Sequence, residues 1–424
     1  MTTITDVDAW QILDSRGNPT VRVRVEAGAH AGTFSVPAGA STGTHEATER
    51  RDGGERYGGR GVTEAVEAVR NDLGPAVIGR DVTAQRSLDR TLVEVDGTPA
   101  LSRTGANAVL GVSGAIARAA SDAVGVPLYE YLAPERPGRL PLPMVNVLSG
   151  GEHAAGGMAF QDVLVVPVGA ASYPEALEGA WAVRRGVRDR LFERGERPLV
   201  ADEGGFSPGV ESIDEAIELL LEGVDAAHGV TRADVGIALD VAATHFYDGG
   251  AYHLERPDRP LDRGAMVDLV VDLVERYPIV SVEDPLAEDD WDGWAALVER
   301  IGSDVQVIGD DLVVTNRTRV ERAREADAAT AVLVKPNQAG TLTRAIDVID
   351  AAADAGWGRI VSARSGETCD TTIADLAVAR DVGQIKIGSL ARSERLAKYN
   401  RLLEIDLEHD GGLADPDTVF GRYR

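Results

Sequence analysis

Residues 331–338 read AVLVKPNQ, and this stretch decides the class of fold. Four small or branched apolar residues in succession predict a strand that is buried on both faces, as the strands of parallel sheets are. Pro336 cannot donate a backbone hydrogen bond, so we expect the strand to end there. Lys335 therefore lies at the end of a predicted core strand, where a charged ammonium group is unusual unless it has a chemical or structural role.

Lysine is scarce in this chain, which contains Lys335, Lys386 and Lys398 against a total of 43 lysines and arginines. Arginine stays protonated in proteins, whereas a buried lysine can release its proton and act as a base. A single lysine at a strand end usually only extends its amine into solvent. Because Lys335 and Lys386 both close an apolar run, we favour a chemical role and predict that Lys335 is a general base.

From residue 143 onward, short apolar runs alternate with amphipathic helical segments. The runs are 144–148, 163–168, 199–201, 237–239, 279–282, 305–308, 331–334, 360–361 and 385. Repeated strand–helix units over this length favour an α/β fold with a closed parallel barrel, and an open doubly wound sheet is the alternative. Neither glycine-rich nucleotide motif occurs, so a dinucleotide-binding fold and a P-loop are not supported.

The first 130 residues follow a different pattern. Val21, Val23 and Val25 alternate with charged residues, which predicts a half-exposed strand of an antiparallel sheet. A glycine-rich loop follows at 36–43, and a helix rich in small residues is expected between Gly105 and Gly125. The proline-rich segment 132–142 is typical of a linker. We therefore predict two domains, one with an antiparallel sheet and helices at 1–134 and one with repeated strand–helix units at 135–424.

The composition excludes several classes of partner. Asp and Glu number 69 against 43 basic residues, a net charge of −26, which argues against nucleic acid or an anionic membrane. An anionic substrate would then need bound metal cations. The single cysteine, Cys369, excludes an internal disulfide, and no basic and apolar leader or long apolar span is seen. We expect a cytoplasmic protein.

Charged residues follow most of the apolar runs. They are Asp202-Glu203, Asp240, Glu283-Asp284, Asp310-Asp311, Lys335, Arg364 and Lys386. The carboxyl ends of barrel strands converge on one mouth, where barrel enzymes keep their chemistry. A single acidic residue at a helix start is common. Charged residues after seven predicted strands indicate a functional site. Asp240, Glu283 and Asp310 would supply three carboxylates and no histidine or cysteine, which suits Mg²⁺. A lysine beside Mg²⁺ suits abstraction of a proton next to a substrate carboxylate.

Several longer strings carry a resemblance to a known family. They are LDSRGNPT at 13–20, GASTG at 39–43, GANA at 105–108, DEGGF at 202–206, SVEDPLAEDDW at 281–291, GDDL at 309–312 and RSGET at 364–368. In this order they resemble the enolase (phosphopyruvate hydratase) family across essentially the whole chain. The resemblance implies a small α+β cap domain, then a modified eight-stranded barrel whose second strand is antiparallel. It also implies a homodimer.

The resemblance implies a role for each matching residue. Asp240, Glu283 and Asp310 match ligands of a tightly bound Mg²⁺, and Ser41 matches a residue that helps to bind a second Mg²⁺. Lys335 matches the base, Glu203 the acid that assists the leaving group, and Lys386 the contact to the substrate carboxylate. The remaining matches are Arg364 and Ser365 to phosphate contacts, His153 to a closing-loop histidine and Gln161 to a site amide. Lysine or histidine bases that work with Mg²⁺ are a known feature of this superfamily.

Departures from the family pattern lie on the leaving-group side. Asp162 replaces a glutamate that works with Glu203, and Ala363 replaces a histidine. The segment 149–156 also lacks two asparagines of the family. The metal ligands, the base and the phosphate contacts are unchanged, which favours an active enzyme over a drifted pseudo-enzyme.

Three functions therefore remain open at this stage. The favoured hypothesis is a specialised Mg²⁺-dependent lyase, similar to the carboxyphosphonoenolpyruvate synthases of phosphonate and phosphinate biosynthesis. It would take a small phosphorylated or phosphonylated carboxylate with a bulkier leaving group. The alternative is the glycolytic dehydration of 2-phosphoglycerate to phosphoenolpyruvate. A non-catalytic scaffold is the third, and the intact metal ligands and lysines count against it.

Overall fold

The computed structural model describes residues 2–40, 42–154, 158–254 and 259–421. An antiparallel sheet opens the chain, with β1 at Asp6–Leu13, β2 at Pro19–Ala27 and β3 at His30–Ser35. Val21, Val23 and Val25 of β2 are fully buried, as their alternation predicted. The helices that follow are α1 (Thr63–Ala68), α2 (Gly74–Val77), α3 (Gln85–Asp96), α4 (Ala106–Val124) and α5 (Leu128–Tyr131). A π-helical turn, Val69–Leu73, joins α1 to α2.

Helix α4 packs directly on this sheet because its contact residues are small. A Cβ atom on Gly32 of β3 would lie 2.2 Å from the Ala119 nitrogen and 2.3 Å from the Ala115 oxygen. Both neighbours are backbone atoms of α4, so the helix and the strand approach as closely as their main chains allow. The helix that was predicted between Gly105 and Gly125 is confirmed, and its small residues allow this close packing.

The barrel is closed by eight strands. They are β4 (Leu142–Ser149), β5 (Asp162–Val166), β6 (Gly236–Asp240), β9 (Ile279–Glu283), β10 (Gln306–Gly309), β11 (Ala331–Val334), β12 (Gly358–Ser362) and β13 (Gly383–Gly388). A small hairpin, β7 (Tyr247–Asp248) and β8 (Ala251–Tyr252), lies outside the barrel. Around the barrel the order is β4, β5, β6, β9, β10, β11, β12 and β13, which returns to β4. Strand β5 is antiparallel to both neighbours and the other pairs are parallel, as the resemblance implied.

Helices surround the barrel and connect its strands. They are α6 (Tyr173–Glu193), α7 (Ile213–Ala226), α8 (Arg263–Arg276), α9 (Trp291–Ile301), α10 (Arg317–Glu325), α11 (Pro336–Ala339), α12 (Leu342–Asp354), α13 (Thr372–Ala379), α14 (Ser393–Glu408) and α15 (Pro416–Phe420). Side-chain caps begin several of them; the Ser212 hydroxyl, for example, accepts the amide of Glu215 at 3.2 Å. No helix in the described ranges is long and apolar enough to cross a membrane.

One predicted strand is wrong. Residues 199–201 do not join the barrel: Leu199 is 64% and Val200 42% exposed, and Val200 makes only an isolated bridge to Phe206. Three apolar residues are too few to specify a core strand, and two of these three side chains face solvent. Asp202 and Glu203 therefore lie in the loop between α6 and α7, and they do not end a strand.

The cap domain contributes a loop to the carboxyl ends of the parallel strands, which we call the mouth of the barrel. Ala38 and Gly366 exchange two backbone hydrogen bonds of 2.8 Å, and the Ala40 amide donates to the Ser365 hydroxyl at 2.6 Å. Farther along, Thr44 donates to Glu288 through its amide and its hydroxyl. The loop thus lies over the mouth and is held on both sides.

The contact between β3 and α4 yields a prediction on stability. We expect Gly32→Ala to destabilise the protein by about 1–3 kcal/mol or more, because the backbone atoms around its Cβ cannot move away. Gly179→Ala inside α6 is the matched control, since its Cβ would meet only Val230 at 3.8 Å. The control should be neutral or gain about 0.5–1 kcal/mol through helix propensity. Urea denaturation of both variants measures the difference, and equal stabilities would contradict the packing argument.

Candidate active site

The predicted acidic and basic residues lie together at the mouth. Asp240 and Glu283 are the last residues of β6 and β9, Asp310 follows β10, and Lys335 follows β11. Lys386 lies within β13. Their side chains are largely or fully removed from solvent. Parallel strands ending at one level explain why residues far apart in sequence meet here.

Lys386 joins two of the carboxylates. Its Nζ lies 2.6 Å from Asp240 Oδ2 and 2.6 Å from Glu283 Oε2. Burial disfavours its ammonium form, but the two carboxylates outweigh burial and hold the pKa of Lys386 well above its usual value. Burial and the neighbouring Asp240 raise the pKa of Glu283 to about 8. Two buried carboxylates side by side are costly unless cations neutralise them.

Lys335 pairs with the third carboxylate. Its Nζ donates to Asp310 Oδ2, and Gln338 Nε2 donates to Asp310 Oδ1 at 2.9 Å. Burial opposes the charge of both partners, but their mutual attraction raises the pKa of Lys335 and lowers that of Asp310. In this arrangement Lys335 is an ammonium ion, so it can accept a proton only after its bond to Asp310 is released.

Asp310 also belongs to a cluster with Asp284 and Asp311, in which one oxygen from each residue lies within 4.8 Å of the others. Asp284 has a left-handed backbone, with φ of 43°. Its carboxylate accepts the amides of Asp310 at 2.9 Å and Asp311 at 2.8 Å. Asp284 thereby fixes the turn that presents Asp310 to the mouth.

The donor set fits a hard divalent cation. Asp240, Glu283 and Asp310 offer carboxylate oxygens, the ligands that Mg²⁺ prefers. Gln161 donates to Asp240 through Nε2 at 3.2 Å, while its Oε1 is buried without a hydrogen-bond partner among the described residues. Asp240, Glu283 and Asp310 would hold Mg²⁺, which would supply the positive charge that these buried carboxylates require. Ser41, predicted as a ligand of a second ion, lies outside the described residues.

Arg364 and Ser365 follow β12 and face the cap loop. The guanidinium of Arg364 donates to both oxygens of Glu46, at 2.9 and 3.2 Å, and to Asn337 Oδ1 at 3.1 Å. Ser365 Oγ accepts the amide of Ala40. Sequence reasoning missed Glu46, whose contact crosses 318 positions; its place three residues after Gly43 was the signal available.

Three predicted residues form a second buried cluster. His153 Nδ1 lies 2.9 Å from Asp162 Oδ2, and His153 Nε2 lies 3.8 Å from Glu203 Oε1. Burial lowers the pKa of His153, but Asp162 and Glu203 outweigh it and raise that pKa to about 9. Asp162 is 0% exposed, and its Oδ1 also accepts Asn146 Nδ2 at 2.5 Å and Ser149 Oγ at 2.8 Å. Sequence reasoning missed Asn146 and the part played by Ser149.

Glu203 has a further cationic neighbour that the sequence did not reveal. Arg395 Nη1 of α14 lies 3.7 Å from Glu203 Oε1. Burial raises the pKa of Glu203, but Arg395 and His153 outweigh burial and hold it below its usual value. Ala363 is buried at the end of β12, where its amide donates to the carbonyl of Lys386 at 2.8 Å. Strands β13 and β4 separate β12 from β5, so Ala363 and Asp162 lie at different parts of the rim. The expectation that both departures lie on one side of the site is therefore wrong.

Two protein-family models together match nearly the whole chain. The model described as enolase, N-terminal domain, matches residues 4–132. The model described as enolase, C-terminal TIM barrel domain, matches residues 138–414, well over half of the chain. The barrel with its antiparallel second strand, the cap loop over the mouth and the carboxylates that suit Mg²⁺ agree with this match. The chain belongs to the enolase family of Mg²⁺-dependent lyases.

Proposed function

We propose that this protein is a carbon–oxygen lyase that forms an enolpyruvate from a phosphoglycerate-like acid and expels a phosphate-type group rather than hydroxide from C3. The observation that carries the choice of leaving group is the position of Asp162. Its carboxylate is fully buried, accepts hydrogen bonds from Asn146 and Ser149, and lies 2.9 Å from His153 Nδ1, so both of its oxygens are already engaged.

The residues at the mouth support a division of labour. Lys335, at the end of β11, would remove the proton at C2 once Asp310 is neutralised. Lys386 would hold the substrate carboxylate. That carboxylate would supply part of the negative charge that Asp240 and Glu283 provide to the ammonium group in this structure. Asp240, Glu283 and Asp310 would hold Mg²⁺, with Ser41 serving a second ion. Arg364 and Ser365 would bind the phosphate group under the cap loop.

The departure of hydroxide requires a proton donor. General acid assistance is typically worth about 10²- to 10⁴-fold. Glu203 is a poor donor because its pKa lies below the usual value, and Asp162 is occupied by its own donors. A phosphate group leaves with less protonation and needs more room, which the methyl group of Ala363 provides where the family has an imidazole. These features favour the specialised lyase.

A second candidate, dehydration of 2-phosphoglycerate, is favoured by one observation. His153, with a pKa of about 9, is protonated at neutral pH and lies 3.8 Å from Glu203, so it can supply a proton to that carboxylate. The scaffold hypothesis has no comparable support, since a scaffold needs no pair of buried lysines among carboxylates. A domain boundary at 134/135, a homodimer and a cytoplasmic location complete the proposal; the boundary falls between α5 and β4.

Steady-state assays of enolpyruvate formation at saturating Mg²⁺ test the leaving group. We expect kcat/KM on 2-phosphoglycerate below about 10⁴ M⁻¹s⁻¹, a low value for an efficient enzyme. A glycerate with phosphate at C3, with or without a phosphonate ester at C2, should be turned over better. Asp162→Glu combined with Ala363→His should raise 2-phosphoglycerate dehydration and lower turnover of the larger substrate. A wild-type protein as efficient on 2-phosphoglycerate as an ordinary enolase would establish the second candidate.

A further inference from the structure

Helix α14 turns two cations toward the barrel instead of an uninterrupted apolar face. Arg395 is 0% and Lys398 1% exposed, and their spacing of three residues places them on one side of the helix. Helices that cover a barrel normally bury an apolar stripe. Lys398 is also the third lysine of the chain, and the proposed reaction gives it no role.

Lys398 has all its donors directed at defined partners. Its Nζ donates to Glu367 Oε2 at 2.8 Å, to the Thr368 carbonyl at 2.8 Å and to the Glu394 carbonyl at 3.0 Å. Glu367 Oε1 in turn accepts the amide of Arg364 at 3.1 Å. An ammonium group has three protons, so each has a partner. Through Glu367, Lys398 is connected to the backbone of Arg364.

Arg395 holds the same segment from its carbonyl side. Its Nη1 donates to the carbonyl of Arg364 at 2.7 Å and to that of Ile387 at 3.0 Å, and its Nη2 donates to the carbonyl of Ser365 at 2.7 Å. We call residues 364–368 the anion loop. It belongs to neither a helix nor a strand, and its backbone is held by α14 together with Ser15 and Ala38 of the cap domain.

We infer that Arg395 and Lys398 are positioning residues that hold the anion loop in the geometry needed to bind the substrate's phosphate group. The inference rests on the proposed role of Arg364 and Ser365. Buried ion pairs are weak stabilisers of a fold, because desolvation offsets most of their attraction. Arg395 and Lys398 both bond to one five-residue loop, and their burial is therefore better explained by the need to position that loop accurately. A planar guanidinium recognises phosphate only when it is accurately positioned.

The test removes the buried ion pair as a unit. Lys398→Met alone would leave the Glu367 carboxylate buried without its cation, so it is combined with Glu367→Gln, which keeps an oxygen for the Arg364 amide. The matched control is Arg401→Met with Asp375→Asn. Arg401 lies on the same helix and pairs with the buried Asp375 at 2.9 Å, away from the anion loop. The melting temperatures of both double variants are measured to check that they fold.

Two probes report on the anion loop with Mg²⁺ present. Calorimetry gives the Kd for inorganic phosphate. Exchange of the C2 proton of 2-phosphoglycerate in deuterated water gives a half-saturation concentration and a maximal rate, and neither depends on which group leaves. We expect the Lys398–Glu367 variant to weaken phosphate binding and raise the half-saturation concentration about 10-fold, as for a lost charged hydrogen bond. The maximal rate should change less, because the base is untouched.

The outcomes separate this inference from the proposed function. Phosphate affinity equal to that of the wild type in the Lys398–Glu367 variant would overturn the positioning role and leave the proposed function intact. Equal losses in the Arg401–Asp375 control would also overturn it, because the effect would then be general to buried pairs. Wild-type protein that fails to bind phosphate would contradict both proposals. Efficient dehydration of 2-phosphoglycerate by the wild-type protein would contradict only the proposed leaving group and would leave the positioning role intact.

Discussion

Lys335→Arg should lower the rate of C2 proton abstraction by at least ~10²-fold, the lower end of what a general base contributes. Arginine keeps the positive charge that pairs with Asp310, but it cannot give up its proton at any accessible pH. The ion pair and the fold are therefore preserved while the chemistry is lost. Exchange of the C2 proton in deuterated water measures the step directly, whichever group leaves from C3.

Two further measurements make the Lys335 result specific. The melting temperature of the variant should stay near that of the wild type, because the pair with Asp310 persists. Binding of inorganic phosphate should also persist, because Arg364 and Ser365 lie on another strand end. If proton exchange continued at most of the wild-type rate, Lys335 would not be the base, and Lys386 would become the candidate.

Substitution of the carboxylates that we propose hold Mg²⁺ should have the largest effect on turnover. Asp240→Asn, Glu283→Gln and Asp310→Asn each remove one hard, charged ligand, so activity should fall to background and excess Mg²⁺ should restore only part of it. Calorimetry should show Mg²⁺ affinity reduced in each variant. EDTA should abolish wild-type activity, and added Mg²⁺ should return it.

Asp375→Asn is the matched control for these substitutions. Asp375 is as deeply buried as Asp240, but Arg401 pairs with it on the outer side of the barrel. Its replacement can lower stability without touching the mouth, and Mg²⁺ affinity should be unchanged. Full activity in EDTA, or equal loss of Mg²⁺ affinity in the control, would contradict the metal assignment.

The fold was largely predictable because buried strands leave a strong signal in sequence. Apolar runs such as 331–334 coincide with barrel strands, and charged residues after them lie at the mouth. The run at 199–201 failed because hydrophobicity alone does not show whether three residues face the core or solvent. The reversal of β5 has no local signal, since strand direction depends on pairing with β4 and β6, and only the resemblance predicted it.

The residues of the candidate site that end a strand were predictable. The residues that reach the site from the cap domain or from an outer helix were not. Glu46 reaches Arg364 from the cap domain, and Arg395 reaches Glu203 and the anion loop from α14. Such pairs depend on tertiary packing and leave no periodic pattern. The cations at 395 and 398 interrupt the apolar face of α14, and that interruption was the one clue that sequence offered.

The burial of every lysine has a consequence for the chemical handling of the protein. The side chains of Lys335, Lys386 and Lys398 are 14%, 7% and 1% exposed, so the folded surface offers acylating reagents almost no ε-amine. Reagents that label the lysines of most proteins indiscriminately should modify these three slowly, and Lys335 before the other two. Acylation of a lysine by a dye or a cross-linker will thus report entry into the mouth, or opening of the barrel.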